Sequence, residues 1–292
     1  MTATIEPIVG RYVHLVIEGI AHRVYFEEAG NGIPLICLHT AGADGRQYRG
    51  ILNDPEVTSR YRVLAFDLPW HGKSSPPVGW QDEAYALTTD RYVGTVLAFA
   101  EALGLDRPVV MGCSIGGRCV LHLALRHGDR FRAAIGLQSA LHSESVLGDQ
   151  MAETGFMYRP DVHGGEAAAS IVSGLIAPQS PSADRWETLW HYSQGGPGVF
   201  PGDLHYYFDD GDLRNGKASA IDTDRCPLFL LTGEYDYSAR PEQTAEVARQ
   251  VPGAKFQVME GLGHFPMSEN PQAFLAYLRP VLGEIAALKV AA

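Results

Sequence analysis

Gly112-Cys113-Ser114-Ile115-Gly116 is the stretch whose reading decides the fold. The apolar run Arg107-Pro108-Val109-Val110-Met111 leads into it, and a helix-like segment, Gly117-Arg118-Cys119-Val120-Leu121-His122-Leu123-Ala124-Leu125, leads out. A serine with glycine two residues before and two after, on a tight strand-to-helix turn, has the pattern of a nucleophile elbow. The backbone crowds itself at such a turn, so a Cβ at either glycine would clash. The turn lifts the Ser114 Oγ clear of the strand and aims the first N–H groups of the new helix at the same point.

Outward from the elbow the chain alternates apolar runs with helical patterns. Residues 12–17 and 22–27 alternate polar and apolar about Glu18-Gly19-Ile20, which predicts an antiparallel hairpin. Continuous apolar runs follow at 34–38, 62–66, 109–111, 133–137, 228–231 and 256–259, as expected of strands buried on both faces. Helical periodicity lies between most of them, most clearly over 89–103, where Gly104 stops it. Strand alternating with helix predicts an α/β fold: a mostly parallel sheet with helices on both faces. The rhythm breaks between about 140 and 220. There no buried strand is found, but aromatic residues are (Phe156, Tyr158, Trp186, Trp190, Tyr192, Phe200, Tyr206, Tyr207, Phe208), with turn clusters such as Gln194-Gly195-Gly196-Pro197-Gly198. The expected organisation is a core of residues 1–140 and 220–292 carrying a mainly helical cap or lid, 141–219, over the carboxyl edge of the sheet, where ligands of such sheets bind.

Bulk properties narrow the function classes. With 292 residues, 46% of them hydrophobic and 20% charged, the chain can bury a large core. A net charge of −11 argues against nucleic acid and offers anionic substrates no long-range attraction. The first residues, Met1-Thr2-Ala3-Thr4-Ile5-Glu6-Pro7, lack the basic and apolar regions of a signal peptide, and no apolar run approaches the roughly 18 residues of a membrane span. Cys37, Cys113, Cys119 and Cys226 are scattered, and three of them lie in apolar strand or helix contexts, so reduced buried thiols are expected. A soluble cytoplasmic protein, without membrane or nucleic-acid partners, is the expectation. No Cys/His cluster has zinc spacing and no glycine-rich phosphate loop is present, so neither metal nor cofactor is called for.

A serine hydroxyl needs a base within hydrogen-bond reach, itself oriented by a third group. Among the 11 histidines, His264 follows the last strand in Glu260-Gly261-Leu262-Gly263-His264-Phe265-Pro266, at the same sheet edge as Ser114. Asp236, in Thr232-Gly233-Glu234-Tyr235-Asp236, follows the strand 228–231 and suits the orienting carboxylate. The order Ser114, Asp236, His264 is the triad order that accompanies the elbow. Glu234 competes with Asp236, and His39, His71 and His122 compete with His264. His122 would point into the core, and hydrogen bonding in the framework is the default for His39 and His71. Cys113, next to the nucleophile, is expected to face the core.

On these residues the chain resembles the α/β-hydrolase fold proteins, in the esterase and lactonase-like branch with a helical cap, over essentially its whole length. Two more segments carry the resemblance. His39-Thr40-Ala41-Gly42 stands where the family has His-Gly-x, and Asp67-Leu68-Pro69-Trp70-His71-Gly72-Lys73-Ser74 is similar to its D-x-x-G-x-G-x-S segment. Thr40 and Trp70 each replace a glycine. The resemblance implies an oxyanion hole made by the backbone N–H groups of Ala41 and Ile115, with a Thr40 hydroxyl near the site. It also implies two-step acyl transfer through an acyl-enzyme on Ser114. Haloalkane dehalogenases and epoxide hydrolases of this fold use Asp at the elbow, which Ser114 disfavours.

For the substrate, the aromatics of the insertion suggest an apolar or aromatic ester. Arg46 and Arg118 are candidates to bind a carboxylate, against the alternative that both sit in ion pairs of the framework; Thr40, Arg46 and Trp70 are the candidate substrate contacts. The oxyanion segment also resembles bacterial hydrolases of monoalkyl phthalate esters, which implies an aromatic monoester with a free carboxylate. Alternatives are a carbon–carbon hydrolase of ring-cleavage products, a cofactor-free oxygenase or perhydrolase, and a ligand-binding protein on a hydrolase scaffold. Exposed aromatics would serve a homodimer contact or a lid equally well.

Overall fold

The structure, a computed structural model, describes residues 3–143 and 164–288. Eight strands form one sheet: β1 (Val9–Ile17), β2 (Ile20–Ala29), β3 (Ile33–Leu38), β4 (Tyr61–Phe66), β5 (Val109–Cys113), β6 (Ala133–Leu137), β7 (Leu228–Gly233) and β8 (Lys255–Met259). Their spatial order is β1-β2-β4-β3-β5-β6-β7-β8. β1 and β2 form the expected hairpin, with Ile17 opposite Ile20 and a two-residue turn at Glu18-Gly19. Both turn residues have positive φ, which suits the twist of the strands. β2 also runs antiparallel to β4; all later pairings are parallel.

The inner parallel strands β3, β5, β6 and β7 are almost wholly apolar because both their faces are covered, whereas β8, expected to be buried on both faces, lies at the sheet edge and keeps Lys255 and Gln257 exposed. Val110 and Ala134 pack with Phe99, Val120 and Leu121 on one side. Met111, Cys113 and Ile135 pack with Ile51, Leu278 and Leu282 on the other. The first layer holds α1 (Thr89–Ala102) and α2 (Ile115–His127). α1 starts at Thr88, whose side chain accepts the Arg91 N–H, and ends as expected before Gly104, which adopts φ +59°.

Between β6 and β7 the described residues include α3 (Gly165–Ser173), α4 (Ser182–Ser193) and α5 (Val199–His205), the last continuing into a short π-turn over Tyr206–Asp210. Of the expected insertion, residues 144–163, with Phe156 and Tyr158, lie outside the described residues. The other aromatics divide: Trp186 and Trp190 face outward, while Tyr192, Phe200, Tyr206 and Tyr207 are buried. α6 (Pro241–Gln250) and α7 (Pro271–Ala287) complete the chain. No helix among the described residues is long and apolar enough to cross a membrane.

The strand order changes direction between β3 and β5: β4 lies outside β3 on one side, and β6, β7 and β8 extend beyond β5 on the other. The loop after β3 and the loop after β5 therefore diverge at the carboxyl edge and leave a crevice. Residues 39–43 and Ser114 sit on its two lips.

Candidate active site

Ser114 joins β5 to α2 with φ 60° and ψ −114°, a conformation sparsely used by residues with a Cβ. The surroundings leave it no other course. A Cβ on Gly112 would run into the Gly116 backbone, and one on Gly116 would lie 2.5 Å from the Leu38 carbonyl. Ser114 N–H donates to the Leu137 carbonyl at 3.1 Å, which ties the elbow to β6.

Asp236 lies in the loop after β7 and His264 in the loop after β8. His264 Nδ1 is 2.9 Å from Asp236 Oδ1. A carboxylate oxygen only accepts, so Nδ1 carries the proton and Nε2 is left as the acceptor of the ring. Asp236 Oδ1 also accepts the N–H groups of Ser238 (2.8 Å) and Ala239 (3.0 Å), whereas its buried Oδ2 has no partner among the described residues. Glu234, the competing carboxylate, is exposed and accepts the Gly261 N–H at 2.9 Å. The sequence-chosen Asp236 and His264 are thus brought together.

The His264 loop is fastened on every side. His264 N–H donates to the Leu175 carbonyl (2.9 Å), and the Cys113 thiol donates to the His264 carbonyl (3.2 Å). Burial pushes the Cys113 thiol far above its ordinary pKa, so it stays protonated. Gln138 links neighbouring loops: its amide donates to the Gly263 carbonyl (2.7 Å) and accepts the Gly233 N–H (3.0 Å). Glu269, fully buried, accepts the N–H groups of Gly263 (2.6 Å), Phe265 (3.2 Å) and Ala177 (3.3 Å), and the Ser180 hydroxyl (3.1 Å). Burial raises its pKa, against the pull of those donors.

In the loop after β3, Thr40 N–H donates to Gln47 Oε1 (3.1 Å), Gly42 N–H to Asp203 Oδ2 (2.8 Å) and Ala43 N–H to the Thr40 carbonyl (3.3 Å). The Ala41 N–H has no acceptor among the described residues. Ile115 opens α2, where a helix leaves its first N–H groups without intrahelical acceptors. Thr40 Oγ1 is committed to Gln47 (3.1 Å) and to the Tyr192 hydroxyl (2.5 Å).

The competing histidines belong to the framework. His39 Nε2 accepts the Leu68 N–H (3.0 Å), so its Nδ1 donates to the Thr40 carbonyl (2.8 Å), and burial followed by the neighbouring His71 lowers its pKa to about 4. His71 meets Asp203 in a buried pair, Nε2 to Oδ2 2.8 Å. His122 is buried against the Gly211 carbonyl, and burial holds its pKa at about 4.

Three sequence candidates are occupied by protein contacts. Arg46 pairs with Asp44 at 2.6 Å and donates to Gln194 Oε1 at 2.5 Å. Trp70 keeps the left-handed backbone of the glycine it replaces (φ 77°), and its ring packs on Tyr85 and Trp80. It lines a cavity with Ile17, Ile20 and His22, to which Ser114, Asp236 and His264 contribute nothing. Arg118 is fully buried; it donates to the Gly211 carbonyl (3.0 Å) and Ser143 Oγ (3.4 Å), with the Tyr207 ring 5.2 Å away. Sequence reasoning missed Gln138, Asp203 and Glu269, whose partners are up to 161 residues distant and leave no local pattern.

Comparison with known proteins agrees with this architecture. A family profile for the alpha/beta hydrolase fold matches residues 33–175. A 2-hydroxy-6-oxo-6-phenylhexa-2,4-dienoate hydrolase of Burkholderia cepacia is 33% identical over 135 residues, 44% of this chain and 45% of that enzyme. The matched stretch is thus about half the length of that relative. Among solved structures, a thermophilic esterase from Thermogutta terrifontis superposes with a TM-score of 0.76 at 20% identity, covering 95% of this chain and 100% of that one. The enol-lactonase from Burkholderia xenovorans LB400 superposes with a TM-score of 0.77 at 18% identity, covering 93% and 100%. With the profile spanning the elbow and the architecture shared along nearly the whole chain, the protein has the alpha/beta hydrolase fold.

Proposed function

We propose that this protein is a serine hydrolase that cleaves a small carboxylic ester through an acyl-enzyme on Ser114. The observation that carries the reading is the 2.9 Å bond from His264 Nδ1 to Asp236, in loops at the same sheet edge as the strained Ser114. His264 Nε2 takes the hydroxyl proton as Ser114 Oγ attacks the acyl carbon. The N–H groups of Ala41 and Ile115 hold the oxyanion, each such donor contributing about 3 kcal/mol in the transition state. His264 then gives its proton to the leaving alkoxide. Water, deprotonated by the same Nε2, cleaves the acyl-enzyme to the acid and restores the Ser114 hydroxyl.

An aromatic monoester bearing a free carboxylate, such as a monoalkyl phthalate, is the substrate we favour. Tyr192 packs edge-on to Phe200 and Phe265, and Phe265 packs on His264, so aromatic surface gathers beside the proposed base. The Burkholderia cepacia relative favours a second reading, a carbon–carbon hydrolase acting on a dienoic oxo acid.

The deciding assay compares wild type and Ser114→Ala on p-nitrophenyl butyrate, monomethyl and dimethyl phthalate, and 2-hydroxy-6-oxo-6-phenylhexa-2,4-dienoate. A serine esterase loses at least about a thousand-fold in kcat with Ser114→Ala. Preference for the monomethyl over the dimethyl ester supports the carboxylate contact, and equal rates exclude it. Turnover of the dienoate without ester hydrolysis selects the second reading. Equal activity of wild type and Ser114→Ala removes Ser114 as the nucleophile.

A further inference from the structure

Asp203 belongs to α5, yet each of its bonds from outside that helix comes from a loop at the carboxyl edge of the sheet. Its Oδ2 accepts the Gly42 N–H at 2.8 Å and faces His71 Nε2 at 2.8 Å, and its Oδ1 accepts the Tyr85 hydroxyl at 2.8 Å. His71 Nδ1 lies 3.0 Å from the Pro69 carbonyl. Both ring nitrogens therefore lie against oxygen atoms, the arrangement in which an imidazolium donates to a carboxylate on one side and a carbonyl on the other. Neither side chain is exposed to solvent. α5 grips the same glycine a second way: Gly42 has φ +70°, and a Cβ there would lie 2.8 Å from the Phe200 ring.

The Ala41 N–H sits between two fixed points. Upstream, the Thr40 N–H and hydroxyl are both held by Gln47 Oε1. Downstream, the Gly42 N–H is held by Asp203. With the peptide on each side anchored, the direction of the Ala41 N–H is set by residues that touch neither nucleophile nor base. We propose that Asp203 is the positioning residue of the oxyanion loop, so that the chain between β6 and β7 is part of the catalytic framework and not a detachable cover. This rests on the reading of Ala41 N–H as an oxyanion donor.

Such a residue acts on the transition state, so its loss lowers kcat and leaves KM nearly unchanged. The experiment measures kcat, per active site titrated, and KM on p-nitrophenyl butyrate for wild type, Ser114→Ala, Asp203→Asn, Asp203→Ala and Tyr85→Phe. Inhibition by benzeneboronic acid, whose tetrahedral serine adduct presents an oxygen to the same N–H groups, is measured in parallel. Asp203→Ala is expected to lower kcat about a hundred-fold, the scale of a lost or misplaced oxyanion donor. Asp203→Asn keeps an acceptor for Gly42 and should lose about ten-fold; Tyr85→Phe should lose a few-fold. Boronate inhibition should weaken by the same factor as kcat, while KM stays within about three-fold.

Unchanged kcat in a folded Asp203→Ala overturns the proposal, as does a rise in KM at constant kcat. Should Asp203→Ala fail to fold, unchanged kcat and boronate inhibition in both Asp203→Asn and Tyr85→Phe overturn it equally. Ser114→Ala keeps the two readings apart: if it stays active the nucleophile is wrong, and if it is inactive while the Asp203 variants are normal only the present proposal falls.

Discussion

Asp236 illustrates how one oxygen can do most of a residue's work. Oδ1 accepts three donors, His264 Nδ1 and the N–H groups of Ser238 and Ala239, and Oδ2 none among the described residues. Asn at this position can keep all three bonds through its single oxygen and lose only the charge that steadies a protonated His264. Ala loses orientation as well. In the esterase assay Asp236→Ala should therefore lower kcat by roughly 10⁴, and Asp236→Asn by clearly less, with thermal unfolding of the Asn variant close to wild type. Equal losses in the two variants would show that charge outweighs orientation here. Ser114 and His264 were legible from their motifs, because an elbow and a loop after the last strand are local patterns. Asp236 was already preferred to Glu234 from its place in the loop, and the fold adds that Asp236 is buried against His264 while Glu234 is exposed.

At the scale of elements, two buried carboxylates fasten the chain between β6 and β7 to the loops after β3 and β8. Glu269 gathers the N–H groups on both sides of His264 together with Ala177 and Ser180; Asp203 gathers Gly42, His71 and Tyr85. The second cluster makes stability depend on pH. Burial pulls the His71 pKa down, but Asp203 outweighs it and the net shift is upward from 6.5. A folded-state pKa above the unfolded one gives stabilisation that is complete below about pH 6.5 and is lost as pH rises through the folded value. Around His71, His39 stays neutral, Tyr85 is held far above its usual range by burial, and Asp67 is raised to about 7 by burial and then by Asp44. Asp67 contributes in the same direction but at lower pH, between its unfolded value of 3.8 and about 7, so the urea resistance that wild type loses as pH rises above about 7 belongs to His71. Asp203→Asn removes the charge that raises the His71 pKa, so it should lose little urea resistance above about pH 7. Parallel curves for the two proteins would show that His71 is not charged in the native state.

For the whole molecule, the reversal of strand order between β3 and β5 matters more than any single strand. It separates the loop carrying Ala41 from the elbow carrying Ser114 and leaves the crevice between them. The chain as a whole carries a net charge of −11, which repels an anionic substrate at long range. Raising ionic strength shortens that repulsion, so kcat/KM for monomethyl phthalate should rise about two-fold between roughly 20 and 200 mM salt. Dimethyl phthalate should show no such rise. A fall for the monoester instead would mean that a local cation dominates the approach.

The sequence by itself determined the strands, the elbow and the loop positions of Asp236 and His264. Continuous apolar runs, Gly-x-Ser-x-Gly and turn residues each act within a few residues of themselves, so periodicity and spacing reveal them. It also marked Thr40 and Trp70 as departures, and Trp70 indeed keeps a glycine-like backbone. What only the tertiary structure decided is which buried polar groups meet. Arg46 turned to Asp44 and Gln194, Arg118 to Gly211 and Ser143, and Asp203 to three residues at least 118 positions away. A buried donor or acceptor must find its partner wherever the fold brings one, and that demand for satisfaction leaves no periodic trace along the chain.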